Sequence, residues 1–259
     1  LRLLTLATGS KCLGHDKVAS PDVLVDCHAE ILARRALRNY FLETIVRLEK
    51  ATEGGEVEPP ARPPLLLRLP SGRYALRKGV GLHLYISQAP CGDACIYPMR
   101  PESELPPSEG QQPSSKRRRL EPCPSEAPAT DIHRTGAKAA PGEQQDPLGP
   151  GLEYHVTGIL RTKPGRGSPS RSMCCSDKIM RWSVLGCQGC LLTHLMDPVY
   201  FVSVTVGGDS FDKRAIARAL HQRAAAALRG CGDLPAGYAL SAPDIFHSGL
   251  VFEFSEQAL

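Results

Sequence analysis

Three short stretches of this chain combine residue types that can hold a metal and move protons. Cys27-His28-Ala29-Glu30 opens a segment of helical periodicity, so the His28 imidazole and the Glu30 carboxylate can face one point near the positive end of a helix dipole. On its own, a His two residues from a Glu is as readily a polar helix start. A strand-like run, Leu82 to Gln88, leads into Ala89-Pro90-Cys91-Gly92-Asp93-Ala94, which puts Cys91 at a strand-to-helix corner where backbone N–H groups favour a thiolate. Cys174-Cys175-Ser176-Asp177-Lys178 opens a further predicted helix. A catalytic zinc takes three protein ligands and keeps one position for water, so with His28 and Cys91 as two, one of the neighbours Cys174 and Cys175 is the best source of the third. A purely structural zinc has no use for a carboxylate beside it, whereas a hydrolytic one needs a proton carrier, and Glu30 suits that role.

The elements that must position these residues are legible as a pattern. Leu1 to Ala7 reads as a short strand. Asp26 to Lys50 reads as a helix, with Ala33, Leu37, Tyr40, Phe41, Thr44 and Leu48 at helical spacing and Asp26 as its N-cap. Leu65 to Leu69 and Tyr74 to Arg77 form a hairpin across Pro70-Ser71-Gly72, and Gly81 to Gln88 alternates as a strand. A strand from Glu153 to Leu160, helices at Asp177 to Leu185 and Gln188 to Met196, a strand at Val199 to Val206, a helix from Ser210 to Leu228 and a last strand at Leu250 to Phe254 follow. Strands alternating with helices imply an α/β layered fold.

The 259 residues are read as one domain in two parts, 1–98 and 151–259, divided by an insert over 99–150. From Met99 to Pro150 there are ten prolines and no Phe, Tyr or Trp, a composition that cannot bury enough apolar surface to offset ordering entropy. A smaller Glu/Pro-rich break runs from Thr52 to Pro64. Inside the insert, Lys116-Arg117-Arg118-Arg119 reads first as a solvated charge run and second as a nuclear-import or RNA-tethering patch. No window approaches the roughly 18 apolar residues of a membrane span. Ten cysteines are too few for a disulfide scaffold at this length, which favours a reducing cytoplasmic or nuclear setting. A net charge of +4 is a weak sign of an anionic partner.

His-x-Glu followed by Pro-Cys-x-x-Cys is the signature of the zinc deaminases of nucleobases; here Ala94 holds the second Cys position and Cys95 is one residue out of register. In order and context His28-Ala29-Glu30, Pro90-Cys91-Gly92-Asp93 and Cys175-Ser176-Asp177-Lys178-Ile179-Met180-Arg181-Trp182 resemble the three motifs of the RNA-editing adenosine deaminases. The resemblance covers the chain outside the insert. Asp131-Ile132-His133-Arg134-Thr135-Gly136-Ala137-Lys138 and Arg161-Thr162-Lys163-Pro164-Gly165-Arg166-Gly167 place it nearer the tRNA-acting branch than the duplex-RNA editors.

That resemblance implies a cytidine-deaminase-like layered fold, a mixed central sheet flanked by helices, in a chain shortened at both ends. It implies zinc ligands His28, Cys91 and Cys175, with Glu30 as proton shuttle, and selects Cys175 over Cys174 because the ligand stands directly before Ser-Asp-Lys. The implied reaction converts adenosine to inosine in tRNA, at position 37 beside the anticodon. It further implies a buried inositol hexakisphosphate held by Arg34, Arg35, Lys178, Arg181 and Trp182, with Asp26 ordering Lys178 or the polyphosphate shell; the remaining basic contacts of that pocket fall beyond Leu259. Charges one turn past the zinc motifs fit the rule that buried charges need partners, although a phosphate-facing surface would look similar. Ser10 and Lys11 correspond to substrate contacts. Arg166 stands where duplex editors place a Glu that fills the gap left by a flipped base; anticodon-loop bases are already partly unstacked, so less filler is needed. Two other readings stay open: a catalytically silent, zinc-stabilised RNA-binding module, and a cytidine deaminase of the same fold.

Overall fold

A computed structural model describes residues 1–54, 62–99, 131–163, 168 and 170–250. The Lys116–Arg119 run, Arg166, most of the Thr52 to Pro64 break and the expected strand past Leu250 lie outside these residues.

Leu1 to Gly9 takes no regular structure, and the first strand is β1, Ser10–Cys12. It pairs antiparallel with β2, Asp26–His28, matching Ser10 with His28, Lys11 with Cys27 and Cys12 with Asp26. Gly9 makes this approach possible: at φ 132° its carbonyl accepts the Ala29 N–H at 2.8 Å, and a Cβ there would lie 2.3 Å from the Cys27 carbonyl oxygen. Asp26 is therefore a strand residue and not the expected helix cap. The helix α1, Ala29–Thr52, begins after His28, with Glu30, Ile31, Leu37, Phe41, Thr44 and Ile45 on its buried face. These recur at three- and four-residue spacing, the stripe a helix needs to cover a core.

The expected hairpin is present as β3, Leu66–Arg68, paired antiparallel with β4, Tyr74–Leu76. Three hydrogen bonds from the Arg73 guanidinium to the carbonyls of Thr193, His194 and Met196 fix this hairpin to a segment about 120 residues further along the chain. Next comes β5, Leu82–Ile86, whose Leu82, Leu84 and Ile86 are buried while His83 and Tyr85 face out. A 3₁₀ turn, Asp93–Cys95, separates it from β6, Tyr97–Pro98.

Residues 131–150 correct the expected extent of the insert. They contain β7, Ile132–His133, paired with β6, and β8, Lys138–Ala139, paired with β9, Arg161–Thr162. Ile132, Ala137 and Ala140 are buried, so despite its prolines this stretch contributes core. The strand expected over Glu153 to Leu160 is instead a 3₁₀ turn, Gly151–Glu153, and irregular chain, because its backbone N–H groups bond to carboxylates: Val156 to Asp146 at 2.9 Å and Gly158 to Asp93 at 2.7 Å.

α2 spans Cys175–Leu185, and the helix expected over Gln188 to Met196 is the single turn α3, Cys190–Thr193. β10, Phe201–Gly207, lies between β5 and β11, Asp244–Ser248, in a three-stranded sheet that is parallel throughout. The antiparallel pairs form separate two-stranded ladders, so the mixture of strand directions lies outside the central sheet. The helix expected from Ser210 to Leu228 is α4, Lys213–Ala217, a π-helical turn, Arg218–Gln222, and α5, Arg223–Leu228. The core joins Ile31, Phe41, Leu84, Ile179, Trp182, Val204 and Leu220, with helices packed on the inner face of a parallel sheet. No described helix is long and apolar enough to cross a membrane.

Candidate active site

His28 ends β2, Glu30 lies in the first turn of α1, Cys91 follows β5, and Cys175 opens α2. The fold converges these elements. The side-chain ligand atoms of His28, Cys91 and Cys175 all lie within 4.8 Å of one another, and the Cys91 Sγ is 3.9 Å from the His28 Nδ1. Zinc bonds of about 2.3 Å to sulfur and about 2.0–2.1 Å to nitrogen give tetrahedral edges of roughly 3.5–3.8 Å, so one imidazole and two thiols in this arrangement suit the ion and leave a fourth position free.

The Cys91 turn is fastened to the start of α2. The Ser176 N–H donates to the Cys91 carbonyl at 3.1 Å and the Cys175 N–H to the Cys91 sulfur at 3.3 Å. Gly92 permits this contact: its φ is 104°, and a Cβ there would sit 2.6 Å from both the Cys174 Cβ and the Ser176 Oγ. Hydrogen bonds from the Cys174 and Cys175 thiols, helped by His28 and the Cys175 N–H, hold Cys91 far below the ordinary thiol range against the effect of burial. Cys175 is pushed up by burial and by its bond to Cys91, and Cys174 by that bond and then burial. Cys174 hydrogen-bonds to the Cys91 sulfur but does not join the three converging ligand atoms. Cys95 donates to the carbonyls of Ala89 at 3.5 Å and Pro90 at 3.4 Å, and burial pushes its thiol up to about 12. The one-residue slip seen in the sequence thus leaves Cys95 as a structural thiol.

Glu30 is only 8% exposed, and its charge raises both Cys175 and Cys95, which places the carboxylate beside the sulfur cluster. A buried acid next to a His/Cys/Cys group, with an open coordination position, is the arrangement a metal-assisted hydrolysis requires.

Residues 5–258 match the adenosine-deaminase (editase) domain, nearly the whole chain and all four of these residues. The chain belongs to that family. It is 30% identical to human "tRNA-specific adenosine deaminase 1" over 99% of this chain and 64% of that protein. It is 32% identical to the protein of the same name in Drosophila melanogaster, over 86% of this chain and 48% of that one, and 32% identical to mouse "Double-stranded RNA-specific editase B2", over 93% and 29%. The chain spans less than two thirds of the length of these relatives.

Around the His28, Cys91 and Cys175 group the other sequence candidates fall into three groups. Asp26 is enclosed by cations: Lys163 donates to it at 2.6 Å, Lys178 pairs with it, and the Ser172 hydroxyl donates at 3.1 Å. Burial works against the Asp26 carboxylate, but the bonds from Lys163 and Lys178 outweigh it and hold the group below the ordinary range. Asp26 also accepts the His28 N–H at 3.1 Å, so this ion cluster supports the backbone at the first ligand. Lys163 was absent from the sequence candidates; it lies 137 residues from Asp26, and no local pattern links them.

Arg34, Arg35 and Arg181 form the second group, with Arg38 one turn along α1 from Arg34. The Arg34 guanidinium lies 5.0 Å over the buried Trp182 ring and donates to the Cys187 carbonyl at 2.9 Å. Burial, then the charges of Arg38 and Arg181, lower it to about 10. Arg38 had a signal in its spacing of four from Arg34. The third group comprises Ser10 and Lys11, exposed on β1 directly opposite His28 and Cys27 and so at the rim of the centre.

Proposed function

We propose that the chain is the catalytic core of a zinc-dependent hydrolase that converts adenosine to inosine in tRNA, at position 37 next to the anticodon. The observation that carries this reading is a buried Glu30 beside converging His28, Cys91 and Cys175 in a member of the adenosine-deaminase family. The names of the human and Drosophila melanogaster tRNA-specific relatives, similar over 99% and 86% of the chain, support tRNA as the substrate.

His28, Cys91 and Cys175 would hold the zinc, which when bound makes water acidic enough to act as a nucleophile near neutral pH. Glu30 takes a proton from the attacking water, gives it to the adenine ring, and then moves a proton to the departing ammonia. Lys163, Lys178 and Asp26 hold the backbone before His28, and Ser10 and Lys11 offer polar groups to the RNA at the rim; Arg166 adds a cation for phosphate or for the space beside the target base. Incubating the full-length protein with a tRNA pool and sequencing for inosine tests the reading, with metal analysis of the same preparation. Inosine at position 37 and a single zinc per chain are expected; tight tRNA binding with no inosine would overturn it in favour of a silent module. Loss of zinc in Cys174→Ala with retention in Cys175→Ala would overturn the choice of ligand.

The arginine cluster supports a second ligand, inositol hexakisphosphate. Among the described residues Arg35 Nη1 and Arg38 Nε are buried without a hydrogen-bond partner, and Arg34 feels the repulsion of Arg38 and Arg181. Buried guanidinium groups without partners suit a polyanion. Arg34, Arg35 and Arg181, with Trp182 beneath Arg34, would contact it, and Lys178 would connect it to Asp26. Mass spectrometry of denatured full-length protein is expected to release inositol hexakisphosphate; a folded, active enzyme that yields no polyphosphate would sink this assignment.

A further inference from the structure

The π-helical turn Arg218–Gln222 interrupts an otherwise α-helical run that stands behind both cysteine ligands. In a continuous α-helix, residues five apart point about 140° away from each other. A turn closed by i→i+5 bonds brings residues five apart back toward one face, and such turns recur at functional sites. Arg218 and Arg223 are five apart across this turn.

Both reach the metal-binding elements. The Arg218 Nε donates to the Asp93 carboxylate at 3.0 Å, and its Nη2 donates to the carbonyls of Asp93 at 2.8 Å and Ile96 at 2.7 Å. Arg223 pairs with the Asp177 carboxylate and donates to the Ile159 carbonyl at 2.8 Å. Asp93 is fully buried and Asp177 nearly so. The two acids occupy equivalent places: each follows a ligand by two residues, in Cys91-Gly92-Asp93 and in Cys175-Ser176-Asp177. The π turn is itself held by one bond from α2 and one from within its own run. Its Leu220 carbonyl accepts the Ser183 hydroxyl of α2 at 3.2 Å, and its Ala219 carbonyl accepts the Arg223 Nε at 2.8 Å.

We propose that this turn is a two-armed latch, in which Arg218 and Arg223 are positioning residues that set the separation of the Cys91 and Cys175 sulfurs by gripping Asp93 and Asp177. The arms act on the loop and helix from which the sulfurs project, and touch neither the ligand atoms nor Glu30. Fixing them on one rigid turn makes the gap between the sulfurs a property of the π-helical geometry. An unlatched site has to find the correct gap each time it takes up an ion, which weakens binding and loosens the coordination sphere.

The inference rests on the zinc reading above, and its test separates the two. In the full-length protein, zinc affinity is measured by competition with a chromophoric chelator, and coordination geometry by the absorption bands of the cobalt(II)-substituted form. Arg218→Gln and Arg223→Gln are each expected to weaken zinc binding by about 10–100-fold, as loss of an outer-shell partner typically does, and to shift the cobalt bands. Ile216→Val, a core truncation on α4 that leaves both arginines and both acids in place, is the control for destabilisation alone and is expected to leave affinity and spectrum unchanged. Arg218→Lys keeps the charge but not the three-way fork, and stands in if Arg218→Gln does not fold. Unchanged affinity and cobalt bands in the arginine variants, or changes no larger than those of Ile216→Val, would overturn the latch with the zinc site intact. A wild-type protein that binds neither zinc nor cobalt would overturn both.

Discussion

Glu30→Gln is expected to lower inosine formation by about two to four orders of magnitude, the usual effect of losing a general acid/base, while zinc content and tRNA affinity stay near wild type. The substitution keeps the size of the side chain and much of its hydrogen-bonding capacity but removes its ability to accept and release a proton. Glu30 is not among the three converging ligand atoms, so the metal keeps its full donor set. Single-turnover kinetics on a tRNA substrate, with metal analysis alongside, checks this. An undiminished rate would remove Glu30 from the mechanism, and parallel loss of zinc and rate would make it a structural residue.

The convergence of His28, Cys91 and Cys175 was legible because these residues sit in motifs of three to eight residues next to the ends of secondary-structure elements, where type and spacing carry the information. Helix α1 was legible for a similar reason, since Leu37, Phe41, Thr44 and Ile45 recur with its period. Its start was misplaced because Asp26 is a good N-cap by type; only the pairing of β2 with β1, and the two lysines that take up the carboxylate, make it a strand residue. Lys163 and the Asp93–Arg218 pair were illegible, since their partners lie 137 and 125 residues away. The π turn left no trace either: Ala219 and Leu220 are as good in an α-helix, and only three-dimensional packing against α2 selects the wider turn. Composition misjudged residues 131–150 because proline-rich chain can still be ordered by a few long-range ionic contacts.

Those contacts carry the second large effect. Arg161 is completely buried, and its two terminal nitrogens donate to the Asp146 carboxylate at 2.7 and 2.6 Å. The same nitrogens reach the carbonyls of Ala137 at 3.1 Å and Val156 at 2.6 Å, while the Arg161 N–H donates to Asp177 on α2 at 2.9 Å. Arg161 therefore joins residues 131–150, through its guanidinium, to the helix that bears Cys175, through its backbone N–H. Asp146→Asn leaves that cation buried without a counter-charge, and removing one partner of a buried pair typically costs about 3–5 kcal/mol. Urea denaturation at pH 7 is expected to show a loss of that size. Burial opposes the Asp146 carboxylate, but the bonds from Arg161, the Val156 N–H and His155 more than compensate, and the group is held well below the ordinary carboxylate range. A carboxyl with a depressed folded-state pKa contributes stability that is complete above its unfolded value of about 3.9 and disappears as pH falls through the folded value. The difference between wild type and Asp146→Asn should accordingly be constant at neutral pH and shrink below about pH 4. A melting temperature unmoved by the substitution at pH 7 would show that residues 131–150 lie on the core without supporting it.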